Sequence, residues 1–205
     1  MKYIGIFFLL FNLNSHSHPV IYKDGWVYWA NLAPDMNSMR VSYTPNPKYS
    51  IEVNSTWLQN LNKYRDYTLG VNYLFKRWLS KSSQGNLYGA VHGGYYKDDT
   101  SDGFAGHAML MADWESRKHY TAASAMAYHY NDDTKIKYTA RYGLAPYVAG
   151  MNTLQTWLIA QVEYFEANDK NPVFTPMIRF FYKNVLWETG ANLKGDYSLT
   201  LMVHF

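Results

Sequence analysis

Apolar and polar side chains alternate along most of this chain with a period of two. Tyr49, Ile51, Val53 and Trp57 share one parity, against Glu52, Asn54 and Thr56. Tyr67, Leu69, Val71, Tyr73 and Phe75 do the same against Asp66, Thr68, Asn72 and Lys76. Successive side chains of a strand point to opposite faces, so each run predicts a strand with one apolar and one polar face. The pattern recurs over Gly25–Leu32, Ser38–Thr44, Tyr49–Leu58, Asp66–Arg77, Asn86–Lys97, Phe104–Glu115, His119–Tyr130, Ile136–Leu144, Leu154–Glu166, Val173–Lys183, Val185–Leu193 and Tyr197–Phe205. Most runs approach the ~9–11 residues that a tilted strand needs to cross a bilayer. No comparable stretch has helical periodicity. The expected fold is therefore all-β: a closed antiparallel up-and-down transmembrane β-barrel of about twelve strands. Two alternatives stay open. One has ten strands, with residues 25–44 lying irregularly at the mouth or inside. The other is a soluble sandwich or lipocalin-like barrel, which would bury its apolar face.

An even strand count puts both termini at one end. The connections QNLNKYR, KDDTSDG, NDDTK, EANDKNP and KGD then lie outside, and TPNPK, WLSKSSQG, ESRK, APYVAGMNT and YKN on the periplasmic side. The two sets are similar in length.

The closing strand Tyr197–Phe205 (YSLTLMVHF) has Tyr197, Leu199, Leu201, Val203 and Phe205 on one face and ends on the aromatic residue. It resembles the C-terminal signature of Gram-negative outer-membrane β-barrel proteins. That resemblance implies a cell outer-membrane location, contact with outer-membrane lipid and lipopolysaccharide, and recognition of Phe205 by the barrel-assembly machinery. Gly143-Leu144-Ala145-Pro146-Tyr147 resembles a phrase in barrel proteins of the copper-resistance B type. The Met- and His-rich N-terminal region of those proteins is missing, and no site residues carry over.

Composition sharpens the picture. Aromatic residues make up 18% of the chain, with 20 Tyr and 7 Trp, residues at home in strands and at membrane–water interfaces. Mean hydropathy is −0.36, too polar for a helical membrane protein but compatible with a barrel, whose lumen is polar. Lys2, an apolar run over 4–13 and small residues near Ser17 describe a signal peptide over residues 1–17, leaving 18–205 as a single outer-membrane barrel domain. The absence of Cys excludes disulfides and thiolate chemistry. A net charge of +3 without a basic cluster gives no reason to expect nucleic acid.

The polar faces carry Glu52, Asp66, Lys76, Asp113, Glu115, Lys137, Arg141, Glu163, Arg179, Lys183 and Glu188. Charges cost a few kcal/mol when they face lipid, so these point to the lumen. A narrow passive channel or transport-accessory barrel for small solutes or metal ions is the leading function. An outer-membrane enzyme acting on lipid or peptide and a structural barrel without a pore are the alternatives. For the enzyme, Ser124 and His129 lie on opposite faces, Asp98-Asp99 and Asp132-Asp133 are paired turn carboxylates, and no nucleophile-elbow or metalloprotease motif occurs. No catalytic residue or organic cofactor is therefore assigned. For metal, His92, His107, Met109, Met111, His119, His129, Met202 and His204 share the inward parity. A symmetric hairpin about Asp99-Thr100 sets His92 opposite His107, with Met109 and Met111 beyond, a donor set suited to copper. The outward set is expected to include Tyr49, Tyr67, Tyr95, Trp114, Tyr120, Tyr128, Tyr130, Tyr164 and Tyr182.

Overall fold

The computed structural model describes residues 18–59, 62–130, 132–150, 152–168 and 171–205. The leader expected over residues 1–17 lies outside the described residues. Twelve strands follow one another: β1 (Gly25–Leu32), β2 (Met36–Asn46), β3 (Tyr49–Leu58), β4 (Tyr64–Leu79), β5 (Ser83–Lys97), β6 (Asp102–Ser116), β7 (His119–Tyr130), β8 (Asp133–Leu144), β9 (Gln155–Phe165), β10 (Val173–Tyr182), β11 (Val185–Ala191) and β12 (Tyr197–His204). Each pairs antiparallel with its neighbours in sequence, and β1 pairs with β12 from Val27↔His204 to Leu32↔Leu199, which closes the barrel. Trp26 and Phe205 exchange backbone hydrogen bonds at 3.0 and 2.9 Å beyond that ladder. Closure leaves no unpaired edge, the condition for strands to exist in lipid.

The twelve-strand expectation is met, with Gly25–Thr44 in the wall rather than in the lumen. The outer surface is a belt of Val53, Leu69, Phe75, Val91, Phe104, Leu110, Leu158, Phe174 and Trp187, all exposed. Contiguous apolar surface on this scale marks a face that something apolar covers. The soluble barrel, which would turn this face inward, is thereby overturned. Among the described residues no helix is long and apolar enough to cross a membrane.

Three facings differ from the sequence expectation. In β7 the face is reversed: Tyr120, Tyr128 and Tyr130 are buried in the lumen, while His119 and His129 are exposed. The cause is register. The tight β6–β7 turn sets Glu115 opposite Tyr120 and His107 opposite Tyr128, and opposed residues share a face. The small residues Ala123, Ala125 and Ala127 take the outer side instead. In β4 the register shifts between Leu74 and Lys76, so Arg77 rather than Lys76 lies opposite the inward Asn86. Lys76 instead lies 5.2 Å from the Trp78 ring. Lys183 sits in the β10–β11 turn with φ 55°, exposed and outside the lumen. Tyr49, Tyr67, Tyr95, Trp114 and Tyr182 are exposed on the outer face as expected, and Tyr164 stacks on the outward Tyr138.

Candidate functional site

The lumen is filled unevenly. On the β3–β7 side, Leu58, Tyr64, Tyr96, Tyr128, Tyr130 and Phe165 form one buried cluster. Tyr64 stacks on Tyr96 at 5.4 Å and meets Tyr130 at 5.0 Å. These rings enclose Asp66, which accepts from the Tyr64 hydroxyl (3.0 Å) and the Thr56 backbone N–H (3.0 Å) and pairs with His107 Nε2 at 2.9 Å. Glu52 accepts from Asn72 Nδ2 at 3.2 Å and faces His92 Nε2 at 3.6 Å. Gly70 lies between Glu52 and His92 in the ladder. A Cβ at Gly70 would overlap the His92 ring, so the glycine makes room for that imidazole.

On the other side a cavity of ≈ 840 Å³ runs down the barrel. Its mouth is lined by Pro34, Asp35, Asn168, Lys194 and Asp196, at the end away from the termini, and Pro19 lies at its floor. The wall between carries Arg40, Lys137, Glu163, Arg141, Arg179 and Glu188. Lys137 pairs with Glu163 at 2.9 Å. Glu188 is shared: Arg141 Nη1 reaches it at 3.1 Å, and Arg179 contacts it through Nε and Nη2. Arg40 stacks over Trp29 at 3.9 Å, and its Nε has no hydrogen-bond partner. Two guanidiniums on one carboxylate, together with Arg40, leave the middle of the cavity wall with an excess of positive charge.

The floor is residues 18–22, which enter the lumen from the end that holds the termini. His18, Pro19 and Val20 are buried. His18 Nδ1 lies 3.1 Å from Asp113 and its Nε2 3.4 Å from Glu115.

The candidate metal residues are partly brought together. His92 lies directly opposite His107, as the symmetric hairpin requires, with ring centroids 6.3 Å apart and nearly perpendicular. Each faces its own carboxylate. Met109 and Met111 line the cavity instead. His204 and Met202 meet at 3.0 Å near the opposite wall, and His119 and His129 leave the set with the reversed face of β7. Among the described residues no group of three or more His, Asp or Glu is arranged to hold a metal ion. For the enzyme alternative, Ser124 lines the cavity while His129 faces outward toward Thr134. The Asp66–His107 pair has the right separation, but both side chains are wholly shielded from a substrate.

Sequence reasoning missed Arg40, Arg77 and the buried 18–22 segment. Arg40 could be found from hairpin register, since Ser42 opposes the inward Glu52 and Arg40 shares its parity. The N-terminal segment has no periodic signal.

A closed barrel with an apolar exterior and a charged, partly open lumen has the architecture of membrane-spanning β-barrels. Among solved structures, this chain is similar to the KdgM porin in complex with disordered oligogalacturonate, with a TM-score of 0.52 at 10% identity over 88% of this chain and 98% of that one. A second structure of the KdgM porin gives 0.52 at 11% identity over 88% and 99%. The likeness is one of fold. No family model and no curated protein sequence matches the chain.

Proposed function

We propose that this protein is an outer-membrane channel for small solutes that favours anions. One observation carries the reading: the cavity wall pairs Arg141 and Arg179 with the single carboxylate of Glu188, and Arg40 adds a further charge on the same cavity. A low-dielectric wall focuses such excess charge into a field that raises the local concentration of counter-ions. The fold likeness to a porin supports a channel, and the apolar belt supports a membrane setting. The closed barrel form and the C-terminal resemblance support an outer-membrane setting. Phe205 is exposed at the end of the closing strand, where the assembly machinery would read it. The test is purified protein in planar bilayers under a KCl gradient. Conductance steps with anion preference are expected, and Arg40→Ala should lower that preference about threefold. Acidic oligosaccharides should block the steps. Cation preference, or no conductance at any voltage, overturns the reading.

Copper handling at His92 and His107 is a second reading, favoured by their direct opposition across the β5–β6 ladder. It requires His107 to leave Asp66 so that both imidazoles can turn to one ion. Copper titration of the purified barrel and of its His92→Ala/His107→Ala variant tests it, and unchanged affinity sinks it.

A further inference from the structure

We propose that residues 18–22 form a displaceable plug that closes the periplasmic end of the lumen and is latched there by His18. The proposal extends the channel reading, since a plug matters where something passes.

The first argument is placement. Val20 is completely buried against Leu74 and Tyr88, with Met111 beside them. The next residue, Ile21, packs on Val27, Leu186 and Met202. Tyr88 stands on β5 and Leu186 on β11, half the circumference apart in a twelve-strand ring. Two successive side chains therefore brace opposite walls, and the segment spans the lumen. Above it Pro19 forms part of the cavity floor.

The second argument is how the segment is held. It joins no β-ladder. Ser50 Oγ donates to the Pro19 carbonyl at 2.8 Å, Ile21 N–H lies 3.5 Å from Thr44 Oγ1, and the Tyr22 hydroxyl donates to the Phe205 carbonyl at 2.7 Å. Among the described residues these are isolated contacts, beside the continuous ladders of the wall. Segments with few backbone hydrogen bonds occupy the low end of local opening energies.

The third argument is the latch. His18 sits between Asp113 and Glu115 of β6, with Gln84 Nε2 at 3.3 Å and the Tyr88 ring at 5.8 Å, both from β5. Asp113 is itself held by Asn86 Nδ2 at 2.7 Å, and Asn86 by Arg77 Nε of β4 at 2.7 Å. Burial alone would lower the pKa of His18, but its contacts with Asp113 and Glu115 outweigh that and raise it. A raised folded pKa gives a contribution that is complete below the ordinary ~6.5 and is lost as pH climbs through the folded value. The latch is thus tight in acid and loosens in base.

The wild-type chain contains no Cys, so Val20→Cys reports plug position without background. The barrel, reconstituted in lipid, is treated with a membrane-impermeant maleimide, alone and combined with His18→Ala. Slow labelling of the single variant is expected, with a rate about tenfold higher in the double variant; the ratio of the single variant's rate to the double variant's, which cancels the pH dependence of the thiolate itself, should climb as pH rises above the ordinary ~6.5 of an imidazole. Bilayer conductance of His18→Ala, and of Val20→Ser/Ile21→Ser as an independent way to loosen the segment, should rise about threefold over the parent. Equal labelling rates with and without His18, or higher conductance while the thiol stays protected, would overturn the plug. Faster labelling without conductance in any variant would keep the displaceable segment and remove the channel reading.

Discussion

The two halves of this barrel obey the same alternation and use it differently. Strands β4, β5 and β6 are 16, 15 and 15 residues long, while β11, β12 and β1 have 7, 8 and 8. Inside β3 and β4, Glu52 and Asp66 are met by tyrosine, amide and imidazole groups, and Leu58, Tyr64, Tyr96, Tyr128, Tyr130 and Phe165 pack the lumen beside Asp66. Across the barrel, from β8 to β11, Glu188 and Glu163 are met by Arg and Lys around open space. An inward carboxylate is therefore structural or functional according to what surrounds it. Aromatic filler dries the first set and makes its hydrogen bonds indispensable. In the second set Glu188 and Arg179 are themselves buried, and the charge meets the open cavity through Arg141, Lys137 and Glu163.

If that contrast holds, the largest effect comes from breaking the packed half. Asp66→Ala removes the acceptor for Tyr64, for Thr56 N–H and for His107 together. Losing one member of a buried, bonded group costs about 3–5 kcal/mol. Urea unfolding in lipid vesicles should show a loss of this size, with ion selectivity of the remaining folded protein unchanged. A selectivity change of several-fold would mean the packed half is not sealed from the cavity.

Glu188→Gln is the matching cut in the open half. Arg141 and Arg179 lose the charge they share. Stability should fall by about 2–3 kcal/mol, less than for Asp66 because Arg141 borders the cavity, where water can solvate it. Anion preference should rise about threefold. The effect on bilayer reversal potential is the distinguishing measurement, and a preference that falls would show that these guanidiniums do not face the permeating ions.

Gly70→Ala comes next. The added methyl collides with the His92 ring over Glu52. Overpacking a filled site costs typically 1–3 kcal/mol, and about 2 is expected here, because the methyl also meets the Val91 carbonyl oxygen, which cannot swing aside as the imidazole can. The imidazole signals of His92 should move while those of His204, on the far wall, stay in place. Coincident shifts in both would show that the halves are mechanically coupled.

Much of this was legible in the sequence. Each of the twelve runs fell on a strand, because lipid outside and water inside impose a strict period of two on side-chain polarity. The inward set Glu52, Asp66, Asp113, Glu115, Lys137, Arg141, Glu163, Arg179 and Glu188 followed from parity alone. Parity fails where both faces are apolar, as in β7: tyrosine on one side and alanine on the other look equally suited to lipid. Only the register imposed by the Arg117-Lys118 turn decides it. It fails again at the β4 bulge, where one extra residue exchanges Lys76 for Arg77. Which inward groups are dry cannot follow from alternation, because dryness depends on side chains from strands far apart in the chain, such as Tyr64, Tyr130 and Phe165. The brace made by Val20 and Ile21 is equally non-local.

The smallest expected effect is at the rim of the packed half and concerns the turn that joins the strands carrying His92 and His107. Asp98 Oδ1 accepts from the backbone N–H of Thr100 at 2.7 Å and of Ser101 at 2.6 Å, and from the Thr100 hydroxyl at 2.8 Å. The Thr100 N–H chiefly holds the Asp98 carboxyl below its ordinary range; burial opposes it, and the Thr100 hydroxyl and the Ser101 N–H and hydroxyl together tip the balance downward. A depressed folded pKa means that the bonds are intact above the unfolded value of ~3.9 and are lost as pH falls through the folded one. Asp98 is half-buried at the barrel's rim, where solvent screening keeps the effect local. The amide resonances of Thr100 and Ser101 should therefore titrate together below the ordinary carboxylate range while those of His92 and His107 stay fixed by the ladder. Asp98→Ala should show the released amide positions at every pH. If His92 and His107 shift with the turn, the hairpin rather than the surrounding packing sets their register, and the long wall is less rigid than its buried cluster implies.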